Sequence, residues 1–300
     1  MQRDNSIALS YLFNTNILND FFKNQSSDRL IKIFNEFNML DKICQNWTLK
    51  EFFEYSYKQL LKNYRNEYVF KNAIAQKILI GRHSIKSSSL FTELRVETSK
   101  ADIVIFNGTS HVYEIKTELD NFERLENQIK NYKKVFEYVN VVSVESKTDE
   151  IKALVDETVG IIILTEQYTL KTIRKPKSGL NNLDKEAIFN ILRKNEYLQI
   201  IQKNNGSIPD LPNTKIYSAC KNLFVQLPIE VIQKEILKTL KKRKNHKNLI
   251  DTIKDFPNSL KVAMIEADLS TKQQIDFLQL LNQKTNHVFT QRACDVSSVS

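Results

Sequence analysis

Five short runs rich in β-branched residues interrupt an otherwise helix-patterned chain between Phe91 and Thr165: FTELRVE, ADIVIF, HVYEIKT, YVNVVSV and VGIIILT. Each has the length and composition of a strand. Between the third and fourth runs lies a helical stretch with Phe122, Leu125, Ile129, Tyr132 and Phe136 on one face, and between the fourth and fifth lies TDEIKALVDET. Three strands in succession, then helix, strand, helix, strand, describe an α/β domain in which helices flank a mixed β-sheet.

The flanks read as helical. Residues 1–62 carry apolar positions at helical spacing, as in RLIKIFNEFNMLDKI, and Thr48 with Glu51 has the spacing of a capping box that opens LKEFFEYSYKQLLKNY. A third helix, about Asn66 to Ile80, is expected to stop at Gly81. The sequence thus divides into an N-terminal helical region (1–62), an α/β core (63–170), a basic linker containing IRKPKSGLNN (171–183) and a basic helical C-terminal domain (184–300).

Charge points to a partner. The net charge is +9, and its excess is C-terminal, with 22 basic against 12 acidic residues from Lys171 to Ser300. Between Lys234 and Lys247, the cations Lys234, Lys238, Lys241, Lys242, Arg243, Lys244 and Lys247 stand against Glu235 alone. A helix C-terminus favours some positive charge, but seven cations exceed that need, so contact with a phosphate backbone is the expected role. The helical ends also offer surface to a protein partner. No apolar run reaches the ~18 residues of a membrane span, and the first residues lack the cationic and apolar segments of a signal peptide. Cys44, Cys220 and Cys294 show no CxxC spacing, and His83, His111, His246 and His287 show no zinc-site pairing. These features are expected of a cytoplasmic protein without a membrane span.

The stretch KADIVIFNGTSHVYEIKTE, Lys100–Glu118, places Asp102, Glu114 and Lys116 among apolar strand residues. Side chains two apart share a strand face, so Glu114 and Lys116 project together. Whether Asp102 joins them depends on the loop. A two-residue Asn107-Gly108 turn would pair Asp102 with Tyr113 and turn it to the opposite face. A three-residue loop shifts the register by one and brings it back, with Gly108 able to take a left-handed conformation. The odd-length loop is therefore expected. Two carboxylates on a partly buried face repel unless a cation lies between them, and oxygen donors of this kind suit Mg²⁺ or Mn²⁺. Asp102, Glu114 and the Ile115 carbonyl are the expected ligands, leaving Lys116 to orient or deprotonate a water and to stabilise charge on a phosphate.

Asp102, then Glu114-Ile115-Lys116 on the next strand and an amphipathic helix behind them, resembles the PD-(D/E)xK, or restriction-endonuclease-like, nuclease superfamily, here as an uncharacterised bacterial subgroup. Gln128 and Tyr132 reproduce the QxxxY pattern of its RecB-like branch. Glu67 lies on a helix before the first strand, where many members carry a further glutamate. Ala101 stands where the motif has proline, a position that varies in the superfamily. The resemblance spans Arg65 to about Leu170. It implies a restriction-endonuclease-like core and Mg²⁺-dependent hydrolysis of nucleic acid, DNA rather than RNA, in genome defence or repair. Asp102, Glu114, Lys116, Gln128 and Glu67 are then the catalytic candidates. Glu93, on the first strand, can reach the site or pair with Arg95 or another neighbour. LRKNEYLQIIQKNNGS is similar to a SAP-like DNA-binding element. The alternative is a module that binds nucleic acid or protein on the same fold without turnover. No GxxxxGK[ST] or GxGxxG motif is present, so any ATP-driven step belongs to another chain.

Overall fold

The computed structural model describes residues 2–24, 27–36, 46–81, 85–244 and 246–288. In chain order come α1 (Gln2–Ser10), α2 (Thr15–Asn24), α3 (Asp28–Glu36), α4 (Leu49–Asn63) and α5 (Glu67–Ile74), which runs on as a π-helical turn over Ala75–Ile80. Next are β1 (Ser89–Val96), β2 (Ser99–Phe106), β3 (Ser110–Ile115), α6 (Leu125–Lys133), β4 (Tyr138–Ser143), α7 (Thr148–Leu154), β5 (Gly160–Leu164) and β6 (Leu170–Arg174). Then follow α8 (Lys185–Asn190), α9 (Lys194–Asn205), α10 (Asn213–Gln226), α11 (Ile229–Arg243), α12 (Lys261–Ala267) and α13 (Thr271–Leu281). No helix among the described residues is long and apolar enough to cross a membrane. Cys44, Cys294 and His83 lie outside the described residues, as does the part of RLIKIFNEFNMLDKI beyond Glu36.

These elements form two compact units that cut across the segments expected from the sequence. One comprises Met1–Lys86, Glu166–Thr169 and His246–Ser300; the other comprises Ser87–Thr165 and Leu170–Asn245. In the helical unit, the capping box at the start of α4 is present: Glu51 N donates to Thr48 Oγ1 at 3.2 Å and Thr48 N to Glu51 Oε2 at 2.7 Å. The first and last parts of the chain are stitched together by Asn72, fully buried, whose Nδ2 donates to the Asn258 carbonyl at 2.8 Å and whose Oδ1 accepts from Val262 N at 3.0 Å. Phe277 of α13 meets Phe21 and Phe22 of α2, with ring centroids 5.8 and 4.6 Å away.

The second unit holds a six-stranded mixed sheet in the order β1-β2-β3-β4-β5-β6, so the architecture is α/β with helices flanking a mixed sheet. The pairs β1–β2, β2–β3 and β5–β6 are antiparallel, while β3–β4 and β4–β5 are parallel. Each parallel pair is bridged by a helix, α6 and then α7, as parallel strands require. On one face, Val104, Phe106, Val112, Val139 and Val141 share a core with Leu125, Ile129, Tyr132 and Phe136 from α6 and its C-terminal turn. Burying side chains of the size of Phe136 contributes roughly 1.5–3 kcal/mol each.

Two expectations change here. The stretch read as a linker from 171 begins inside β6, an exposed edge strand whose Lys171 and Arg174 suppress the apolar alternation by which strands are recognised. The segment read as one C-terminal domain is divided. Helices α8 to α11 place Phe189, Ile201, Phe224, Ile236 and Leu240 in the sheet's own core, whereas the residues from His246 pack with the N-terminal helices.

Candidate active site

The β2–β3 ladder runs from Phe106↔Ser110 to Ile103↔Tyr113. The loop is thus the three residues Asn107, Gly108 and Thr109, with Gly108 at φ +70°. Continued by one residue, this register sets Asp102 opposite Glu114, so both point to the face covered by α6. There the ladder is replaced by a side chain: Ile115 N donates to Asp102 Oδ2 at 2.7 Å. Within a strand, the N–H and C=O of one residue point to the same edge. The Ile115 carbonyl therefore also faces the Asp102 side. On the other edge, Lys116 N donates to the Val142 carbonyl at 2.9 Å, and Ser143 Oγ donates to the Lys116 carbonyl at 2.6 Å.

Glu114 is 2% exposed and Lys116 8%. Lys116 Nζ donates to Glu114 Oε1 and to Gln128 Oε1, both at 2.9 Å. Three of the expected catalytic side chains are thereby joined in one hydrogen-bonded group, with Asp102 beside it. Tyr132, fully buried on α6 four residues after Gln128, has its hydroxyl 2.7 Å from Glu114 Oε2 and 3.0 Å from the Lys100 carbonyl. A phenol has one proton to donate. When that proton serves the Lys100 carbonyl, a proton on Glu114 completes the contact between the other two oxygens. Burial pushes the Glu114 carboxyl above its ordinary range, against the opposing pull of Lys116, Tyr132 and Gln128. Burial, and then the neighbouring Glu114, hold the Tyr132 phenol well above its own, so it serves as a hydrogen-bond donor rather than a base.

Glu93 joins from β1. Its carboxylate has an oxygen within 4.8 Å of one of Asp102, and it also pairs with Lys100. The residue adopts φ +59°, in the left-handed region, at the position where the β1–β2 register would set it opposite Asp102. Side chains other than glycine rarely sit there without a compensating reason.

Glu67 opens α5 in the helical unit and pairs with Lys71 at 2.6 Å. Of the basic stretch, Lys234, Lys238 and Lys242 are exposed on α11. Lys241 and Lys244 are half-buried, and Lys247 belongs to the helical unit. Arg243 departs from its expected role. Its side chain is 7% exposed, and it forms a two-pronged pair with Glu196 and donates to the Ile191 carbonyl at 2.9 Å. An arginine fixed in this way holds α11 to α9 instead of facing solvent. The sequence reading missed Lys100, Asn131 and Ser143. Asn131 Nδ2 bonds Ser99 Oγ at 2.8 Å and so docks α6 on the start of β2. No spacing rule identifies these contacts, because each joins elements that meet only in the folded sheet.

Residues 61–269 match the family described as Bacteriophage P4 protein cII. Protein cII of Enterobacteria phage P4 is 24% identical over 148 residues, covering 48% of this chain and 54% of that protein. The chain thus spans about half the length of the curated relative it matches. Among solved structures, the SPO1766 protein of unknown function from Silicibacter pomeroyi is similar at 11% identity with a TM-score of 0.26, covering 53% of this chain and 81% of that one. That score is too low for the fold of either chain to inform the other.

Proposed function

Because the chain belongs to the bacteriophage P4 protein cII family, whose name states no chemistry, we propose its function from the site: it is a metal-dependent nuclease of the PD-(D/E)xK type, acting on DNA. One observation carries this reading. The β2–β3 register, continued one residue past Ile103↔Tyr113, sets Asp102 opposite Glu114 on one sheet face, with Lys116 Nζ 2.9 Å from Glu114. A binding surface has no use for a buried acid–lysine pair beside a second carboxylate, since burying such charges is costly.

The donors fit a hard divalent ion. Glu93 and Asp102 have carboxylate oxygens within 4.8 Å of each other, and these, with Glu114 and the Ile115 carbonyl, are oxygen donors of the kind Mg²⁺ or Mn²⁺ takes. When bound, such an ion supplies a Lewis acid for a phosphoryl oxygen and lowers the pKa of a coordinated water. The chain's own groups do the positioning. Gln128 and Glu114 hold the Lys116 ammonium at the edge of the site, where it can orient an attacking water and stabilise negative charge developing on the phosphate. Tyr132 fixes the Glu114 carboxyl from behind, and the Ile115 amide anchors the Asp102 carboxylate. Genome defence or repair is the setting such an activity suits.

The test is incubation of wild type and Asp102→Ala with plasmid, linear duplex and single-stranded DNA, and with RNA, in Mg²⁺, Mn²⁺ or EDTA. Cutting that needs the metal and drops by roughly 10²–10³-fold or more in the variant is expected. Tight binding indifferent to metal, with no cutting of any substrate, would show a binding module instead.

A further inference from the structure

We propose that the cleft between α9 and α11 is a docking tract for the phosphate backbone of nucleic acid, with Lys238 and Lys242 as its contacts and Arg243 as a fixed post that shapes it. The inference rests on the nuclease reading and names where that substrate lies. The cleft is about 510 Å³, and Lys203, Lys238, Lys242 and Arg243 line it together with Glu196 and Glu235. Both carboxylates are already engaged, Glu196 by Arg243 and Glu235 by Lys203. Lys238 and Lys242, by contrast, are exposed and have no ion-pair partner among the described residues. The remaining charge is positive and points to solvent, the condition for taking up an anion without first breaking an internal pair.

The geometry suits a polymer rather than a single phosphate. Lys234, Lys238 and Lys242 recur every four residues and so form one stripe with steps of about 6 Å along the helix. Each strand of a duplex presents a phosphate every ~3.4 Å measured along the helix axis, so successive lysines can reach different phosphates. The tract is also tied to the acidic site. Ser89 Oγ of β1 donates to the Lys241 carbonyl at 3.3 Å, and the Arg243 guanidinium lies over the Phe91 ring at 5.9 Å. Glu93 follows two residues later on the same face of β1, roughly 7 Å farther along the strand. A strand held by Lys238 and Lys242 is thereby anchored by the same β1 that carries Glu93.

The test measures binding of a 30-base-pair duplex and a 30-nucleotide single strand by the full chain in EDTA, across a salt series, with cleavage kinetics in Mg²⁺ alongside. Lys238→Ala/Lys242→Ala is compared with Lys175→Ala/Lys177→Ala, which removes the same charge from exposed positions elsewhere in the unit. The first pair is expected to weaken binding on the order of tenfold and to make the salt slope shallower by about 2, while the control stays near wild type. It raises KM and leaves kcat unchanged. All four lysines are exposed, and near-ultraviolet circular dichroism checks that both variants fold. The tract is overturned by absence of binding in wild type, by equal weakening in both pairs, by no weakening in either, or by a loss confined to kcat. Metal-dependent cutting without dependence on Lys238 and Lys242 removes the tract and leaves the nuclease. Lysine-dependent binding without cutting under any condition removes the nuclease and leaves the tract.

Discussion

Two residues of the candidate site are held in states that cost free energy, and each makes a measurable prediction. Glu114 is buried, and its carboxyl holds a proton more tightly than an ordinary glutamate. A metal ion must compete with that proton. Apparent Mn²⁺ affinity is therefore expected to be flat at high pH and to fall about tenfold per unit once pH drops below the Glu114 pKa. Because that pKa is raised, the fall begins above the ordinary value of 4.5. Calorimetric titration across pH 4–8 reads this directly, and a break at or below the ordinary value would contradict the environment described. Glu93 sits at φ +59°, where a side chain is strained by about 1–2 kcal/mol. Glu93→Gly relieves that strain and loses a surface ion pair with Lys100 worth about 0–1 kcal/mol. A urea midpoint no lower than wild type is expected, together with weaker metal binding.

At the scale of elements, the site depends on the β2–β3 hairpin and on α6 behind it. The hairpin's register is what turns Asp102 towards Glu114, and Gly108 at φ +70° permits the three-residue loop that sets it. A Cβ on Gly108 would meet nothing within 4 Å, so replacement acts through backbone conformation alone. Gly108→Ala should cost about 1 kcal/mol in thermal or urea unfolding, and an unchanged midpoint would show that the loop is not so constrained. Much of this hairpin was legible in the sequence. Asp102, Glu114 and Lys116 stand out because charge interrupts apolar strand runs, and the choice of loop reduces to which register makes burial consistent. The contact of Tyr132 with Glu114 was less legible, since a tyrosine on a helix face is equally a core residue. Strand β6 escaped notice because an edge strand with Lys171 and Arg174 lacks an apolar face.

On the scale of the whole molecule, the helical unit is assembled from both ends of the described chain. Removing residues 246–300 deletes the partners of Asn72 and the Phe277 ring packed on Phe21 and Phe22, leaving fully buried Phe21 without cover on that side. A chain ending at 245 is expected to lose protection over helices α1–α5 in limited proteolysis while the sheet and α8–α11, which share one core, remain resistant. Continued protection of α1–α5 would mean that the N-terminal helices fold without α12 and α13.

The amino-acid sequence by itself determined the local events: the α/β class with its mixed sheet, the capped start of α4, the apolar face of α6, and a hairpin carrying an aspartate, a glutamate and a lysine. Periodicity, capping and turn chemistry act over a few residues and leave a readable pattern. Only the tertiary structure decided which helices share the sheet's core, that residues from His246 pack with the N-terminal helices, and that Arg243 is fixed by Glu196. Those outcomes depend on which apolar faces meet across long stretches of chain, and a face records that it must be buried without recording against what.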